Sequence, residues 1–285
     1  MTRYSGVVVP MVTPFTPAGG IDEVAVGRIC EVLTGGRIGG IFPLGTTGEA
    51  ASIHPDDKRK LVAATVKHVG GRAMVYAGIA SNCLRESIEA AAEYQQLGVE
   101  AVVAHMPSYY PLNDAEIEAY FFRLADAVRL PLVLYNIPVT THHQIALDSV
   151  DKLRRHENVV AIKDSAGDKH RLTDLLHRTG GRDGFPVLVG SSVNFTHGLR
   201  HGAVGLVPSG GHLVPSEYQQ MFEAGMKRDW NGVERLQHVT DEACARYLKG
   251  KSLGQGLAVL KAILEERGIC GRTMAPPLLD HEGRF

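Results

Sequence analysis

The sequence predicts an α/β protein: an eight-stranded parallel (β/α)8 TIM barrel with a C-terminal helical extension. Three observations predict it. Short apolar or β-branched runs, each of strand length, recur eight times along the chain. Each is followed by a segment with apolar residues at three- and four-residue spacing, the pattern of an amphipathic helix. The first run leads into "VTPFTPAGG" (12–20), which lacks the Gly-rich dinucleotide turn expected of an open doubly wound sheet. Strand alternating with helix implies a parallel sheet, and eight such units suggest closure.

The runs are "GVVVPMVTPF" (6–15), "GGIFPLG" (39–45), "AMVYAGIA" (73–80) and "VEAVVAHMP" (99–107), then "PLVLYNIP" (131–138), "VVAIKDS" (159–165), "PVLVGSS" (186–192) and "GAVGLVPSG" (202–210). Among the helical segments, "PDDKRKLVAATVKHV" opens with a proline and two acids, a good helix start. "NDAEIEAYFFRLADAV" offers Asn113 and Asp114 as caps. After about residue 214 the strand signals stop. "PSEYQQMFEAGMKRDW" supplies the eighth barrel helix, while "NGVERLQHVTDEACARYLKG" and "GQGLAVLKAILEERG" form the extension. The expected division is a barrel over 1–228 and C-terminal helices over 229–285 packed on it, since no Gly-, Ser- or Pro-rich linker separates them.

Composition narrows the function classes. In 285 residues, 30 basic side chains nearly balance 31 acidic ones. This leaves no electrostatic footprint for nucleic acid and no basic run suited to an anionic membrane. No segment approaches the continuous apolar length of a membrane span, and the prolines of "MTRYSGVVVPMVTPF" make a poor signal peptide, so a cytoplasmic location is expected. Cys30, Cys83, Cys244 and Cys270 are far apart, with no C-x-x-C pair. His197 and His201 could share a helix face and His142 is adjacent to His143, but no third ligand accompanies either pair, so no metal is expected.

In a βα barrel the C-terminal strand ends share one face and build the site. The second strand ends in Gly45-Thr46-Thr47-Gly48-Glu49, and the fourth runs into "PSYYP" with Tyr109 and Tyr110. The fifth ends with Tyr135, the sixth with Lys163, the seventh with Gly190 and the eighth with Val207. Lys163 closes a buried apolar run. A lysine there ordinarily forms a salt bridge or snorkels to water. The alternative is an amine kept dry for attack on a ketone, since burial disfavours the ammonium. The resulting Schiff base is an electron sink that supports making and breaking carbon–carbon bonds. Such chemistry needs a proton shuttle, and a neighbouring tyrosine hydroxyl both gives and takes. Gly-Thr-Thr-Gly offers hydroxyls and close backbone N–H groups, a small nest for a carboxylate. Each feature alone has a plain structural explanation: a tight turn, interface aromatics, a core tyrosine. Their joint placement at successive strand ends is what points to chemistry.

The chain resembles the Schiff-base lyase family that contains dihydrodipicolinate synthase and N-acetylneuraminate lyase. The likeness rests on "VTPF", "GTTGE", "PSYYP", "YNIP", "IKDSAGD", "VLVGSS" and "APPLL", spread over nearly the whole length. The resemblance implies Lys163 as the imine-forming residue and Tyr135 as proton donor and acceptor. It implies Thr46 in a hydroxyl relay with Tyr135 and with Tyr109 of a neighbouring subunit. Thr47 and the amides around it would hold the substrate carboxylate, with Gly190 and Val207 lining the keto-acid side and Val207 offering a backbone contact. It further implies pyruvate and an aldehyde as partners, no cofactor, and a homotetramer built from tight dimers.

Two departures bear on the substrate. Dihydrodipicolinate synthases carry an arginine at the position of Thr140 in "YNIPVTT", and losing it removes a bidentate carboxylate clamp. Sialic acid lyases carry an acidic pair after the seventh-strand glycine, where this chain reads "GSSVN". The second-substrate side is expected to be neutral and hydroxyl-rich, from Thr140, Thr141, Ser165, Ser191, Ser192 and Ser209. The function expected is a pyruvate-dependent aldolase acting on a 2-keto-3-deoxy or 4-hydroxy-2-keto acid. The alternatives are a 2-keto-3-deoxy sugar acid dehydratase, dihydrodipicolinate synthesis, and a keto-acid-binding relative without turnover.

Overall fold

All eight strands form, and each pairs in parallel with the next in chain order until β8 returns to β1 and closes the barrel. The computed structural model describes residues 3–282. The strands are β1 (Gly6–Pro10), β2 (Gly40–Phe42), β3 (Met74–Gly78), β4 (Ala101–Ala104), β5 (Leu132–Asn136), β6 (Val159–Asp164), β7 (Val187–Val189) and β8 (Gly205–Leu206). They are shorter than the apolar runs because those runs report burial, not ladder pairing. The run over 202–210 yields only two paired residues, yet Val207 beyond them is still buried and donates its N–H to the Val189 carbonyl at 2.8 Å.

The helices are α1 (Glu23–Gly35), α2 (Pro55–Val69), α3 (Leu84–Leu97), α4 (Asp114–Ala127), α5 (Pro138–Thr141), α6 (Leu147–Leu153), α7 (Lys169–Arg178), α8 (Phe195–Arg200), α9 (Pro215–Met226), α10 (Trp230–Leu248) and α11 (Leu253–Glu266). Local sequence sets their ends. Pro55 opens α2, where its missing N–H costs nothing, and Gly70 closes it in a left-handed conformation at φ 55°. Asn113 caps α4 through a reciprocal box with Glu116, so of the two candidate caps it is Asn113 that acts and Asp114 that begins the helix. Helix α9 packs on β1 and β8 as the eighth barrel helix, α10 lies on α9 and α8, and α11 lies on α10.

Strand alternation divides the core into two layers. In β5, Leu132 and Leu134 face outward to the helices, while Val133 and Tyr135 face the barrel interior beside Phe42, Tyr76, Val103, Leu188 and Val207. The C-terminal segment is fastened to the barrel mouth by a fully buried ion pair. Lys261 of α11 donates to Glu49 at 2.8 Å and to the Thr273 carbonyl, and Glu49 accepts the Ala275 N–H at 2.7 Å. With both charges hydrogen-bonded, the pair meets the condition under which burial of ions is tolerated.

A buried histidine joins the barrel's first and last turns. Nδ1 of His212 lies 2.7 Å from the Ser209 carbonyl, which can only accept, so the proton is on Nδ1. Nε2 must then be bare, and it accepts the Val12 N–H at 3.1 Å. Protonating Nε2 would set two donors against each other. Burial pushes the His212 imidazole down to about 4 from its ordinary 6.5, against the opposing effect of the Ser209 hydrogen bond. The unfolded chain therefore takes up a proton below 6.5 that the folded chain refuses until about 4. The contribution is fully present above 6.5 and is lost as pH falls toward 4, by on the order of 3 kcal/mol. Urea unfolding at pH 7.5 and pH 4.5 should show His212→Gln, which keeps one donor and one acceptor, losing clearly less stability on acidification than the parent; equal losses would contradict this.

Candidate active site

The centre of the barrel mouth is built by an irregularity in the β5–β6 pairing. Leu132 pairs with Val159, but Val133 pairs with Ala161, so Val160 is one residue too many. The extra residue changes which β6 side chains face inward. Val160 and Ala161 both contribute to the barrel interior, Ile162 turns out to the helix layer, and Lys163 comes to pair with Tyr135. An unbroken register from the Leu132–Val159 pair would have placed Ile162 there instead.

Lys163 is 5% exposed, and its Nζ lies 3.8 Å from the Tyr135 ring centroid and 5.1 Å from that of Phe42. Among the described residues no carboxylate pairs with it. Gly190 makes room for this side chain: a Cβ there would stand 3.0 Å from Lys163 Cε and 2.0 Å from Ser165 Oγ. The Tyr135 hydroxyl lies 3.4 Å from Thr46 Oγ1, with either oxygen able to donate. Thr46 and Thr47 sit half-buried on a turn closed by bonds from Gly48 and Ala50 N–H to the Gly45 carbonyl. Their own N–H groups have no partner in the chain among the described residues. Gly48 is required in this turn, since a Cβ would lie 2.8 Å from the Met11 carbonyl.

One residue past the facing pair, the two strands are braced. Asn136 Nδ2 donates to Asp164 Oδ2 at 2.8 Å, and Arg171 Nε of α7 donates to the same oxygen at 3.2 Å. Asp164 Oδ1 accepts the Ala166 N–H, Arg171 Nη2 reaches the Ile145 carbonyl at 2.7 Å, and Ile145 N–H returns to Asn136 Oδ1 at 3.0 Å. The brace is buried and partnered throughout, which fixes the backbone on either side of Tyr135 and Lys163.

A cavity of about 580 Å³ opens above the pair, lined by Phe42, Thr46, Tyr135 and Thr140, among others, and bounded on its far side by Leu257 of α11 and Leu278 of the C-terminal tail. Lys163 is not itself among the lining residues; its Nζ lies against the rings of Phe42 and Tyr135, which are. Of the six residues expected to make the lining hydroxyl-rich, only Thr140 is in it. Thr141 is wholly buried with its hydroxyl on the Ile137 and His143 carbonyls, and Ser209 is tied to the Tyr247 hydroxyl at 2.8 Å. Both hydroxyls satisfy backbone or core partners at strand ends instead of facing ligand space. Ser165, Ser191 and Ser192 are likewise absent from the lining.

Tyr109 is not brought to Tyr135 and Thr46 within the chain. It is 77% exposed, edge-on to Tyr110 at 5.0 Å, with its N–H on Asn82 Oδ1. His197 and His201 do share a face, with ring centroids 4.1 Å apart, and His197 is bonded to Thr173.

Three titratable lining residues were not anticipated from the sequence: His105, Lys58 and Glu86. His105 directly follows β4 and meets the Tyr135 ring edge-on at 6.1 Å. Its placement at a strand end was a signal available in "VVAHMP". Burial, and secondarily the Lys163 charge, hold its imidazole below the ordinary 6.5, while the Met106 carbonyl acts in the opposite direction. Lys58 in α2 is also lowered by burial, offset by the nearby Glu86 carboxylate.

The same arrangement can be compared with known proteins. The model of the dihydrodipicolinate synthetase family matches residues 3–283. A 4-hydroxy-tetrahydrodipicolinate synthase from Acidothermus cellulolyticus is 31% identical over 277 residues, covering 97% of this chain and 87% of the relative. One from Xanthomonas axonopodis pv. citri is 30% identical, covering 96% and 89%. The dihydrodipicolinate synthase structure from Bacteroides thetaiotaomicron superposes with a TM-score of 0.91 at 28% identity, covering 98% of this chain and 94% of that one. Members of the family are lyases of the class I aldolase type. A closed parallel barrel, a lysine and a tyrosine facing each other at its mouth, and a family match over nearly every residue lead to one conclusion: this chain belongs to the dihydrodipicolinate synthetase family.

Proposed function

We propose that this enzyme is a pyruvate-dependent aldolase that joins pyruvate to an aldehyde, or cleaves the resulting 4-hydroxy-2-keto acid, through a Schiff base on Lys163. The observation that carries the proposal is a buried lysine with no carboxylate partner, paired in register with a tyrosine whose hydroxyl lies near a threonine. The Lys163 amine adds to C2 of pyruvate, and loss of water gives the imine. Loss of a C3 proton gives the enamine, whose C3 attacks the aldehyde carbon. The Tyr135 hydroxyl supplies the proton that the new alkoxide takes up, and Thr46 relays its replacement, with Tyr109 of a neighbouring subunit completing the relay in a homotetramer. The unpartnered N–H groups of Thr46 and Thr47, with the Thr47 hydroxyl, receive the pyruvate carboxylate. Val207 and Gly190 border the keto acid, Thr140 faces the aldehyde side, and the reaction takes place in the cytoplasm. Water then hydrolyses the product imine, which frees the keto acid and returns the Lys163 amine; the imine is the electron sink, so the steps need no further cofactor.

The names of the curated relatives favour a second reading, condensation with aspartate semialdehyde to form 4-hydroxy-tetrahydrodipicolinate. Thr140 weighs against it, because a neutral hydroxyl stands where a carboxylate clamp is expected. Its hydroxyl lies 3.3 Å from the Ile137 carbonyl and donates to it, so toward the cavity it offers only lone pairs.

Incubation with pyruvate and borohydride should add one reduced pyruvyl group per chain, mapped to Lys163 by peptide mass spectrometry, and Lys163→Ala should abolish it. An unchanged mass of the parent protein overturns the proposal. Tyr135→Phe removes only the hydroxyl, so trapping should persist while turnover falls about a hundred- to ten-thousand-fold; a fall under tenfold would move the proton shuttle elsewhere. Thr140→Arg should leave the principal aldehyde reaction no faster and raise condensation with aspartate semialdehyde. Efficient condensation with aspartate semialdehyde by the parent protein would instead favour the second reading.

A further inference from the structure

We infer that His105 is the specificity-determining hydrogen-bond acceptor for the second substrate, and that this substrate is an α-hydroxyaldehyde. The inference rests on the aldolase reading and names the substrate class of that same site. His105 Nδ1 lies 2.7 Å from the Met106 carbonyl. A carbonyl can only accept, so Nδ1 carries the proton and Nε2 is a bare lone pair. Among the described residues Nε2 has no hydrogen-bond partner, although the ring is only partly exposed and lines the cavity. A half-buried acceptor on a residue that lines the cavity is left for a donor that the ligand brings.

The position fits the reacting centre. The ring meets Tyr135 edge-on at 6.1 Å, with the planes at 69°, so the imidazole flanks the phenol that protonates the new alkoxide. A hydroxyl on the carbon next to the aldehyde carbon projects from that centre by one bond and can donate to Nε2. Thr140, another polar residue of the lining, also presents lone pairs, because its own hydrogen is directed to the Ile137 carbonyl. Two acceptors select a hydroxyl and disfavour a carboxylate, which has no hydrogen to give. The cation lining the same cavity, Lys58, stands on the α2 side with the Glu86 carboxylate acting on it. Burial holds the imidazole below its ordinary 6.5, which keeps the Nε2 lone pair available.

The test compares glycolaldehyde with propionaldehyde, which replaces the hydroxyl by a methyl group, each with pyruvate. In the parent protein kcat/KM should favour glycolaldehyde by about tenfold or more. His105→Phe should reduce that ratio at least tenfold, and His105→Gln, which retains an acceptor, should restore part of it. Borohydride trapping of pyruvate on Lys163 is read in parallel for every variant. An unchanged ratio in both variants with trapping intact overturns the role of His105 alone. Absence of trapping in the parent protein overturns the aldolase reading and this inference with it. A parent ratio near one, or a preference for aspartate semialdehyde over both aldehydes, overturns the assigned substrate class.

Discussion

One extra residue in β6 decides what stands beside Tyr135. With Val160 bulged, the inward face of β6 passes to Ala161 and Lys163; without it, Ile162 would fill the place and the barrel would hold an ordinary apolar pair. Everything else at the mouth holds that choice in place. The Asn136–Asp164–Arg171 brace ties the two strands immediately beyond the pair, and Gly190 leaves the volume that the lysine chain occupies. The brace lies where register matters most, because a slip of one residue exchanges the inner and outer faces of a strand. Removing Asp164 or Arg171 would leave a buried charge uncompensated, so the stability of the brace and the geometry of the site are the same problem.

Two buried lysines show how context separates structure from chemistry. Lys261 is fully buried, bonded to Glu49 and to a carbonyl, and is spent on holding α11 and the C-terminal tail. Lys163 is nearly as buried but faces aromatic rings and no carboxylate. The GTTGE turn links them. Its Thr46 meets Tyr135, while Glu49, three residues on and in a left-handed conformation at φ 58°, grips Lys261 and Ala275. The tail that walls the cavity at Leu278 is thus anchored to the turn proposed to bind the carboxylate. A shift of α11 would be felt at Thr46 through one ion pair.

Much of this was legible in the sequence. Eight apolar runs marked eight strands, and the strand-end rule assigns Tyr135, Lys163 and Thr46 to one mouth, where they stand together. What was illegible depends on parity and on partners. The run "NVVAIKD" does not say which of its residues is bulged, because Val159, Val160 and Ala161 are equally suited to inside and outside. Glu49 and Lys261 are 212 positions apart, and nothing local in the turn or in α11 signals the pairing. Thr141 and Ser209 read as ligand-facing hydroxyls because small polar residues at strand ends look alike in sequence; the hydrogen bonds that turn them away are tertiary. His105 was overlooked for the opposite reason. It lies inside an apolar run, where a lone histidine reads as core, and only the fold shows it lining a cavity with its second nitrogen unpartnered among the described residues.

The central claim is that the register of β5 on β6 presents Lys163 as a reactive amine beside Tyr135. A crystal structure of the protein soaked in pyruvate tests it most directly. The account predicts continuous density between Lys163 Nζ and C2 of the keto acid, with its carboxylate on the Thr46–Thr47 turn and the Tyr135 hydroxyl beside the new bond. Pyruvate bound without a covalent link at saturating concentration, or joined to any other lysine, would contradict it.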